Sequence, residues 1–520
     1  MRAKQLKLKA EQGFTTVVVM GMLLVGMLLV AAAFAATDND TSIARHDQYY
    51  KEAYNAAEAG INWYYYHLTQ DANFWQSCTT GPVNMAGTSW ASETKSTIPG
   101  SEAQFALELL PATLGGTCSV TDGSSIISPT AGTFRVRSTG NYRGVRRTVV
   151  GTFKRTSFLN FIWFTDYETN DPVVPRANLT ADQVATQCTK HNWPGTTSPR
   201  SSNCNDPSFI TGDSLNGPVR SNDEFQFCNN PVFGRSGKND LLQTEAPTFY
   251  RACPNGSANP TMNSTPQTGV NGLVMPPDNA TLKTHADCTY TGPTHITLNS
   301  GTSAAVVNNG TSSTCTLTNG VIYIQNGTCS NDFDTSETYP SGSGCGDAWV
   351  HSDSTGAGSD VTIAADNDVV IDGNIKRTSG TSTAVGLIAN NFVRVYHPVS
   401  LDSHGNCVGN TTPTDGEDPN VGPTSNPEID AAILSLRHGF IVDNWDCGSP
   451  LGTLKVVGAI AQEYRGTVGT FNTSTGNVVT GYLKSYTYDD ALRYHDPPYF
   501  LDPVQAGWDI QSETEQVPSH

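Results

Sequence analysis

Glu11-Gln12-Gly13-Phe14-Thr15-Thr16 closes a short charged leader and opens a run of 23 residues, 14–36, without a charged side chain. The leader is basic, since four cations stand against one carboxylate: Arg2, Lys4, Lys7 and Lys9 against Glu11. A basic flank stays on the cytoplasmic side of a membrane. As a helix, the run rises roughly 35 Å, enough to cross a hydrocarbon core of about 30 Å. The sequence therefore predicts a single-pass membrane protein with a cytoplasmic N-terminus and its bulk outside the cytoplasm.

The junction between leader and apolar run resembles the processing signature of type IV prepilins and type II secretion pseudopilins. The resemblance rests on Gly13 at the end of a basic leader, on Phe14-Thr15 after it, and on the long apolar run. It implies that a prepilin peptidase removes residues 1–13 and leaves Phe14 as an N-methylated mature terminus. Two other interpretations stay open, an uncut signal anchor and a secretory signal peptide cut after Ala33-Phe34-Ala35. The run is longer than the roughly 7–15 apolar residues of a signal-peptide core.

One position departs from the family pattern. Most pilins carry Glu at the fifth mature residue, where it neutralises the terminal amine of a neighbouring subunit, and that position is Val18 here. A subunit without this carboxylate is expected to be a poor repeating unit. The resemblance thus implies a minor pilin, or a pseudopilin at the tip of a filament.

A helical continuation is predicted over 37–72, because apolar residues recur at steps of three and four. They form one stripe: Tyr50, Tyr54, Ala57, Ile61, Tyr64 and Leu68. The same segment resembles the A-x-x-A-A-E-A-G motif of PilX-type minor pilins, through Ala53, Ala56, Ala57, Glu58, Ala59 and Gly60.

The charge balance excludes nucleic-acid binding. The chain has 30 basic and 48 acidic residues, for a formal net charge of −18, so it has too few cations to follow a phosphate backbone. Such a composition suits a protein exposed outside the cell.

The cysteines predict disulfides. All twelve lie beyond the apolar run and none forms a C-x-x-C pair, which argues against zinc ribbons and redox motifs. Local pairing is expected, with Cys78–Cys118, Cys188–Cys204 and Cys228–Cys253 as the pairs we name. The remaining candidates are Cys288, Cys315, Cys329, Cys345, Cys407 and Cys447.

Residues 73–165 are predicted to form a small head with an antiparallel sheet, as in pilins. Apolar and polar residues alternate over 133–140 and again over 145–153, which is typical of a hairpin with one buried face. A buried segment is expected at 105–110. Three carboxylates follow the head and are candidate Ca²⁺ ligands by oxygen coordination: Asp166, Glu168 and Asp171. No other cofactor is expected.

Residues 205–480 are predicted to form a large β-rich domain, with 481–520 as a capping segment. Short apolar strands are broken by Gly, Asn and Asp, and a sparse motif recurs around Gly217, Gly373 and Gly458 with apolar residues two positions away on either side. Such inward-facing positions favour a parallel β-solenoid. A β-sandwich stays open as the alternative. The fold class is therefore α+β.

The leading functional hypothesis is a minor pilin or pseudopilin that joins a type IV pilus or a type II secretion-like filament, at the tip and in an adhesive role. Its partners would be other pilins, the prepilin peptidase and the inner-membrane assembly machinery, and its destination the pilus or cell surface. The alternative is a surface-anchored protein that binds or cleaves carbohydrate through an acid/base set such as Asp366, Asp368 and Asp372. Aspartates in Gly- and Asn-rich segments are usually turn residues, so no enzymatic activity is expected.

Overall fold

The structure is a computed structural model that forms two compact units. One consists of 1–126, 134–153 and 510–520, and the other of 127–133 and 154–509; we call them the head unit and the β domain. The residues described are 14–71, 74–112, 116–119, 125–128, 133–171, 180–196, 198–254, 256–329, 344–402, 407–410, 425–472, 477–493, 495–504 and 507–516.

The N-terminal apolar run and the predicted continuation form one helix, α1 (Phe14–Gln70), of 57 residues. Its segment Thr16–Ala33 has a mean hydropathy of 2.5, and none of it is buried. By length and composition this segment is able to cross a membrane, and a signal sequence near an N-terminus meets the same criteria. The leader 1–13 lies outside the described residues.

The head unit contains a six-stranded sheet. Its strands are β1 (Val83–Met85), β2 (Ser96–Thr97), β3 (Gln104–Leu110), β4 (Thr133–Tyr142), β5 (Val145–Arg155) and the last strand of the chain, β32 (Trp508–Gln516). The order is β1-β3-β4-β5-β32, with β2 beside β3. β3 and β4 are antiparallel, whereas the short β1 lies parallel to β3. Arg143 and Gly144 turn the predicted hairpin with φ of 48° and 87°, as a two-residue turn between twisted strands requires.

The domain boundaries differ from those expected from the sequence at two places. The head unit does not include 154–165, which belong to the β domain. The C-terminal segment divides: Thr362 donates a hydrogen bond to the Pro498 carbonyl, so this part lies along the β domain, whereas β32 is an edge strand of the head's sheet. β32 escapes a pattern search because charged residues alternate with small polar ones along it.

The β domain opens with β6 (Trp163–Tyr167) and the short helix α2 (Ala181–Gln187), followed by three-strand coils. The strands are β7 (Ser214–Asn216), β8 (Val219–Ser221), β9 (Phe225–Phe227), β10 (Val232–Phe233), β11 (Leu242–Thr244), β12 (Tyr250–Ala252), β13 (Thr261–Met262) and β14 (Gln267–Thr268). Each strand pairs in parallel with its counterpart in the next coil.

A second series of strands continues the domain. Its members are β15 (Cys288–Thr291), β16 (Thr294–Leu298), β17 (Ser303–Asn308), β18 (Thr311–Thr316), β19 (Val321–Gln325), β20 (Ala348–Ser352), β21 (Val361–Ala365), β22 (Val369–Ile371), β23 (Val385–Ala389), β24 (Val393–Val395), β25 (Val399–Leu401), β26 (Cys407–Asn410), β27 (Glu428–Ser435), β28 (Phe440–Val442), β29 (Pro450–Tyr464), β30 (Gly469–Phe471) and β31 (Val478–Tyr488).

Two parallel ladders organise these strands. The first runs β13-β10-β7-β31-β29-β27-β23-β21-β19-β15, and the second has the parallel series β16-β20-β22-β24-β28. Successive strands of the chain alternate between the two ladders, as β21, β22, β23 and β24 do. This stacking favours a solenoid over a β-sandwich, whose sheets are antiparallel.

The order of the first ladder reveals a junction that we call the seam. The chain winds outward from β7 to β13, restarts at the opposite edge with β15, and returns inward to β31. The late strand β31 therefore meets the early strand β7, through Tyr486 opposite Leu215 and Thr487 opposite Asn216. Leu215 and Tyr486 belong to the main core of the domain.

Six disulfides join the twelve cysteines, each to its neighbour in the sequence. The three pairs named from the sequence are among them. Every bond closes a local loop, which limits the freedom of the unfolded chain.

Candidate functional site

The alanine-glycine motif, residues 53–60, is where α1 meets the head's sheet. Ala53, Ala56 and Ala57 are fully buried, and Gly60 is buried with them. A Cβ placed on Gly140 of β4 would lie 2.1 Å from the Ala53 carbonyl oxygen and 2.4 Å from the Ala57 nitrogen. Helix and strand thus touch backbone to backbone, which only small residues on both sides allow.

The other two members of the motif lie on its flanks. Glu58 and Ala59 are half-buried. A hydrogen bond to Glu58 raises the pKa of Tyr54, with burial adding to the shift. The motif therefore combines a close-packing face with a polar edge.

The predicted apolar stripe is buried only toward the C-terminal end of α1. Ile61, Tyr64 and Leu68 are at most 1% exposed, whereas Tyr50 is 44% exposed. Tyr50 instead takes the guanidinium of Arg147 over its ring, with the Arg147 Cζ atom 3.4 Å from the ring centroid. Arg147 also pairs with Glu515 of β32. The contact of Tyr50 with Arg147 and Glu515 therefore lies at the N-terminal end of the part of α1 that packs on the sheet.

A second arginine, Arg143, contacts α1 next to Tyr50. Arg143, in the β4–β5 turn, donates to the Tyr49 hydroxyl at 3.2 Å and to Glu102 at 2.9 Å. N-terminal to this contact, the side chains of α1 from Ala44 to Gln48 are exposed, as are almost all those of the segment 16–33. Val18, the position of the missing carboxylate, is 39% exposed. Over Thr16–Ala33, α1 is not buried inside the structure.

The three candidate calcium ligands have protein partners. Asp166 lies 2.8 Å from His191 Nε2, and Asp171 lies 3.0 Å from His438 Nδ1. Glu168 is fully buried and accepts from Arg465 at 3.2 Å and from the Trp163 indole at 3.2 Å. Over the part of the chain that the structure describes, no group of three or more His, Cys, Asp or Glu side chains could hold a metal ion. The geometry therefore assigns these carboxylates to ion pairs and hydrogen bonds within the protein.

The candidate acid/base set is also engaged. Asp368 is 1% exposed and accepts from Arg394 Nη1 at 2.8 Å. Asp366 accepts from the Tyr323 hydroxyl, and Asp372 lies 2.9 Å from His351 Nδ1. Sequence reasoning missed these partners, because each lies on a different coil from its aspartate.

Glu463 at the end of β29 is a further group that the sequence did not reveal. Burial and, secondarily, the nearby Asp166 carboxylate raise the pKa of Glu463 to about 8. Its folded form therefore holds a proton at pH values where the unfolded chain has lost it. This contribution to stability is complete below the unfolded pKa and disappears as the pH rises through about 8.

We expect Glu463→Gln to weaken this pH dependence. Urea unfolding of the β domain at about pH 5 and about pH 8 measures it, because a carboxamide cannot titrate. The wild type should lose more stability between these pH values than the variant. Glu428→Gln is the control, since Lys455 lowers the pKa of Glu428 and this carboxyl is mostly ionised in both folded and unfolded states over this range, so its replacement should leave the pH slope unchanged. Equal pH slopes for wild type and Glu463→Gln would contradict this assignment.

Comparison with known proteins gives remote similarity to solved structures. No protein-family model matches the chain, and no curated protein does. Among solved structures, it is similar to the competence-associated pilin ComZ from Thermus thermophilus, with 12% identity, a TM-score of 0.29, and coverage of 90% of this chain and 98% of that one. Because the identity and the TM-score are this low, the function proposed below rests on the residues of this chain.

Proposed function

We propose that the chain is a membrane-anchored minor pilin or pseudopilin that is assembled into a type IV pilus or a type II secretion-like filament. The observation that carries the proposal is the division of α1. Its segment Thr16–Ala33 is apolar and unburied, whereas its C-terminal part packs on a sheet through the alanine-glycine motif. A helix of this kind suits a subunit that is anchored in the bilayer before assembly. After assembly its apolar segment packs against the helices of neighbouring subunits.

The N-terminus determines how the subunit is processed. Prepilin peptidase cuts between Gly13 and Phe14 on the cytoplasmic side, and the whole of α1 stays with the mature chain. The bulk of the protein lies outside the cytoplasm, where its cysteines can oxidise. The inner-membrane assembly machinery and other pilins are its partners.

Two features support a tip position. The segment 14–36 has no acidic side chain to meet the terminal amine of a neighbour, since Val18 stands at the fifth mature position. The β domain, 154–509, is much larger than the head's sheet, and a bulky subunit is accommodated best where it has fewest neighbours. An adhesive role at the tip would use the surface of the β domain, with an extracellular glycan or another surface molecule as ligand.

We propose no catalytic activity and no cofactor for this function. The burial of Asp368 against Arg394 supports this proposal over the alternative hypothesis. A screen of the purified chain against surface glycans separates the two hypotheses, since hydrolysis that is lost in Asp366→Asn would favour the enzyme.

The processing site gives the most direct test. We expect the mature protein from membranes of the native cell to begin at Phe14, and Gly13→Glu to retain the leader and to be absent from sheared filaments. Gly26→Ala is the control, because it adds a methyl group to α1 where nothing lies within 4 Å and leaves the cleavage site unchanged. N-terminal sequencing and immunoblots of filament fractions measure both effects. A wild-type N-terminus at Met1 or near Ala36 would refute pilin-type processing.

A further inference from the structure

Lys484 occupies a core position in an aromatic row. From Tyr482 to the end of β31, alternate residues face the interior, and three of these four are tyrosines, Tyr482, Tyr486 and Tyr488, each at most 3% exposed. Lys484 takes the remaining position, and its side chain is 7% exposed. An ammonium ion in such surroundings is costly unless it is paired or neutral.

The partner of Lys484 is Asp213, the residue before β7. The Lys484 Nζ atom lies 3.3 Å from Asp213 Oδ1 and 3.2 Å from Oδ2, and Asp213 is 1% exposed. Asp213 Oδ2 also accepts the Ile210 N–H at 3.1 Å. Both carboxyl oxygens thus lie within hydrogen-bond distance of the amine, and Oδ2 is also held by the backbone.

The environment of the pair is aromatic and nearly dry. Lys484 Nζ lies 5.5 Å from the Phe209 ring centroid and 5.2 Å from that of Phe471. The guanidinium of Arg465 covers Phe209 at 3.6 Å, which brings a second cation close to the amine. Burial, reinforced by the Arg465 charge and opposed by Asp213, lowers the pKa of Lys484. Both factors favour a neutral, nucleophilic amine.

We propose that Lys484 and Asp213 condense into an intramolecular amide bond across the seam. One proton passes from Nζ to Asp213 Oδ1 within the pair, and the resulting neutral Nζ attacks Cγ, so a C–N bond forms. The Cγ–Oδ1 bond breaks, and this oxygen leaves as water with its own proton and one proton from Nζ. Oδ2 remains as the amide oxygen and keeps the Ile210 N–H. The step needs no oxidant and no other reactant.

The bond would lie where it stabilises the seam. Lys484 and Asp213 are 271 residues apart in sequence. They adjoin the pairing of β31 with β7, which consists of two residue pairs. A covalent bond here joins the last coil of the β domain to the first, where the parallel ladder is short. The seam then resists pulling and proteolysis, which goes beyond the proposed role in assembly and suits a protein exposed to mechanical load.

A peptide map of the full chain tests the proposal. Protein purified from native membranes is reduced, alkylated and digested with trypsin. We expect one branched peptide that joins 201–220 to 466–493, lighter than the sum of its parts by one water molecule, without cleavage after Lys484. Separate linear peptides with cleavage after Lys484 would overturn the proposal. Lys455 is the internal control, because its ion pair with Glu428 is exposed to water and must give linear peptides.

Two variants assign the bond to these residues. Lys484→Arg keeps the positive charge but has no nucleophilic amine, so the branched peptide should be lost while the six disulfides still form. Asp213→Asn should give the same branched peptide, because the carboxamide loses ammonia in place of water. Persistence of the branched peptide in Lys484→Arg would overturn the assignment. If either variant does not fold, the peptide map of the wild type alone tests whether the amide bond exists. The outcome of this map does not depend on whether the chain enters filaments.

Discussion

Gly140→Ala is expected to disrupt the packing of α1 on the sheet of the head unit. The new methyl group would lie 2.1 Å from the Ala53 carbonyl oxygen and 2.4 Å from the Ala57 nitrogen, so a helix backbone would have to move. A side chain could rotate away, but α1 cannot shift without losing the burial of Ile61, Tyr64 and Leu68. We therefore expect a loss above about 3 kcal/mol, at the upper end for overpacking.

Hydrogen exchange in the full-length protein in detergent measures this effect. Amides of β4 and β5 should exchange roughly 100-fold faster in Gly140→Ala, while amides of β21 to β24 in the β domain serve as the unaffected reference. Gly151→Ala is the matched control on the neighbouring strand. Its methyl group would meet the flexible side chain of Ile61 at 3.2 Å, so a cost of about 1 kcal/mol is expected. Equal effects of the two variants would show that backbone contact is not what limits the approach of α1.

The sequence predicted the elements whose information is local. The apolar run and the stripe from Tyr50 to Leu68 each contain helical periodicity, and nothing between 37 and 42 is a Gly or Pro that would end α1. The hairpin of β4 and β5 followed from alternation on both strands. Parallel stacking in the β domain was favoured because apolar residues recur around Gly217, Gly373 and Gly458, and all six flanking side chains lie in one core.

What the sequence did not predict depends on contacts between distant segments. The alanine-glycine motif was recognised, but its counterpart Gly140 was not, since an isolated glycine in a strand has several explanations. The seam was missed for the same reason, because periodicity along β31 contains no information about β7. Of the seam residues, only Lys484 could have been noticed in the sequence, because it is a lysine at an inward-facing position between Tyr482 and Tyr486.

The buried charges of the β domain follow a consistent pattern. Arg394 on β24 donates to Asp368 before β22 at 2.8 Å and to Asp443 after β28 at 2.9 Å. Arg394 thereby connects three successive coils from one position. Burial raises the pKa of Asp443, and burial together with the Asp368 charge raises the pKa of Asp347 to about 6. These carboxyls depend on one cation.

Arg394→Met should accordingly destabilise the β domain by about 3–5 kcal/mol, because it leaves buried carboxylates without their cation. Without the guanidinium, burial raises the pKa of Asp443 and Asp347 further in the folded state. Stability from their protonation is present below the unfolded pKa and lost as the pH rises, so the deficit should be larger at about pH 8 than at about pH 5. Urea unfolding of the full chain at both pH values measures this loss of stability.

Two further variants serve as controls. Adding Asp368→Asn and Asp443→Asn to Arg394→Met should recover much of the lost stability and remove the pH dependence of the loss. Lys455→Met, at an exposed ion pair, should cost less than about 1 kcal/mol. A deficit that does not depend on pH, or that persists in the triple variant, would mean that Arg394 acts through packing of its alkyl chain rather than through charge.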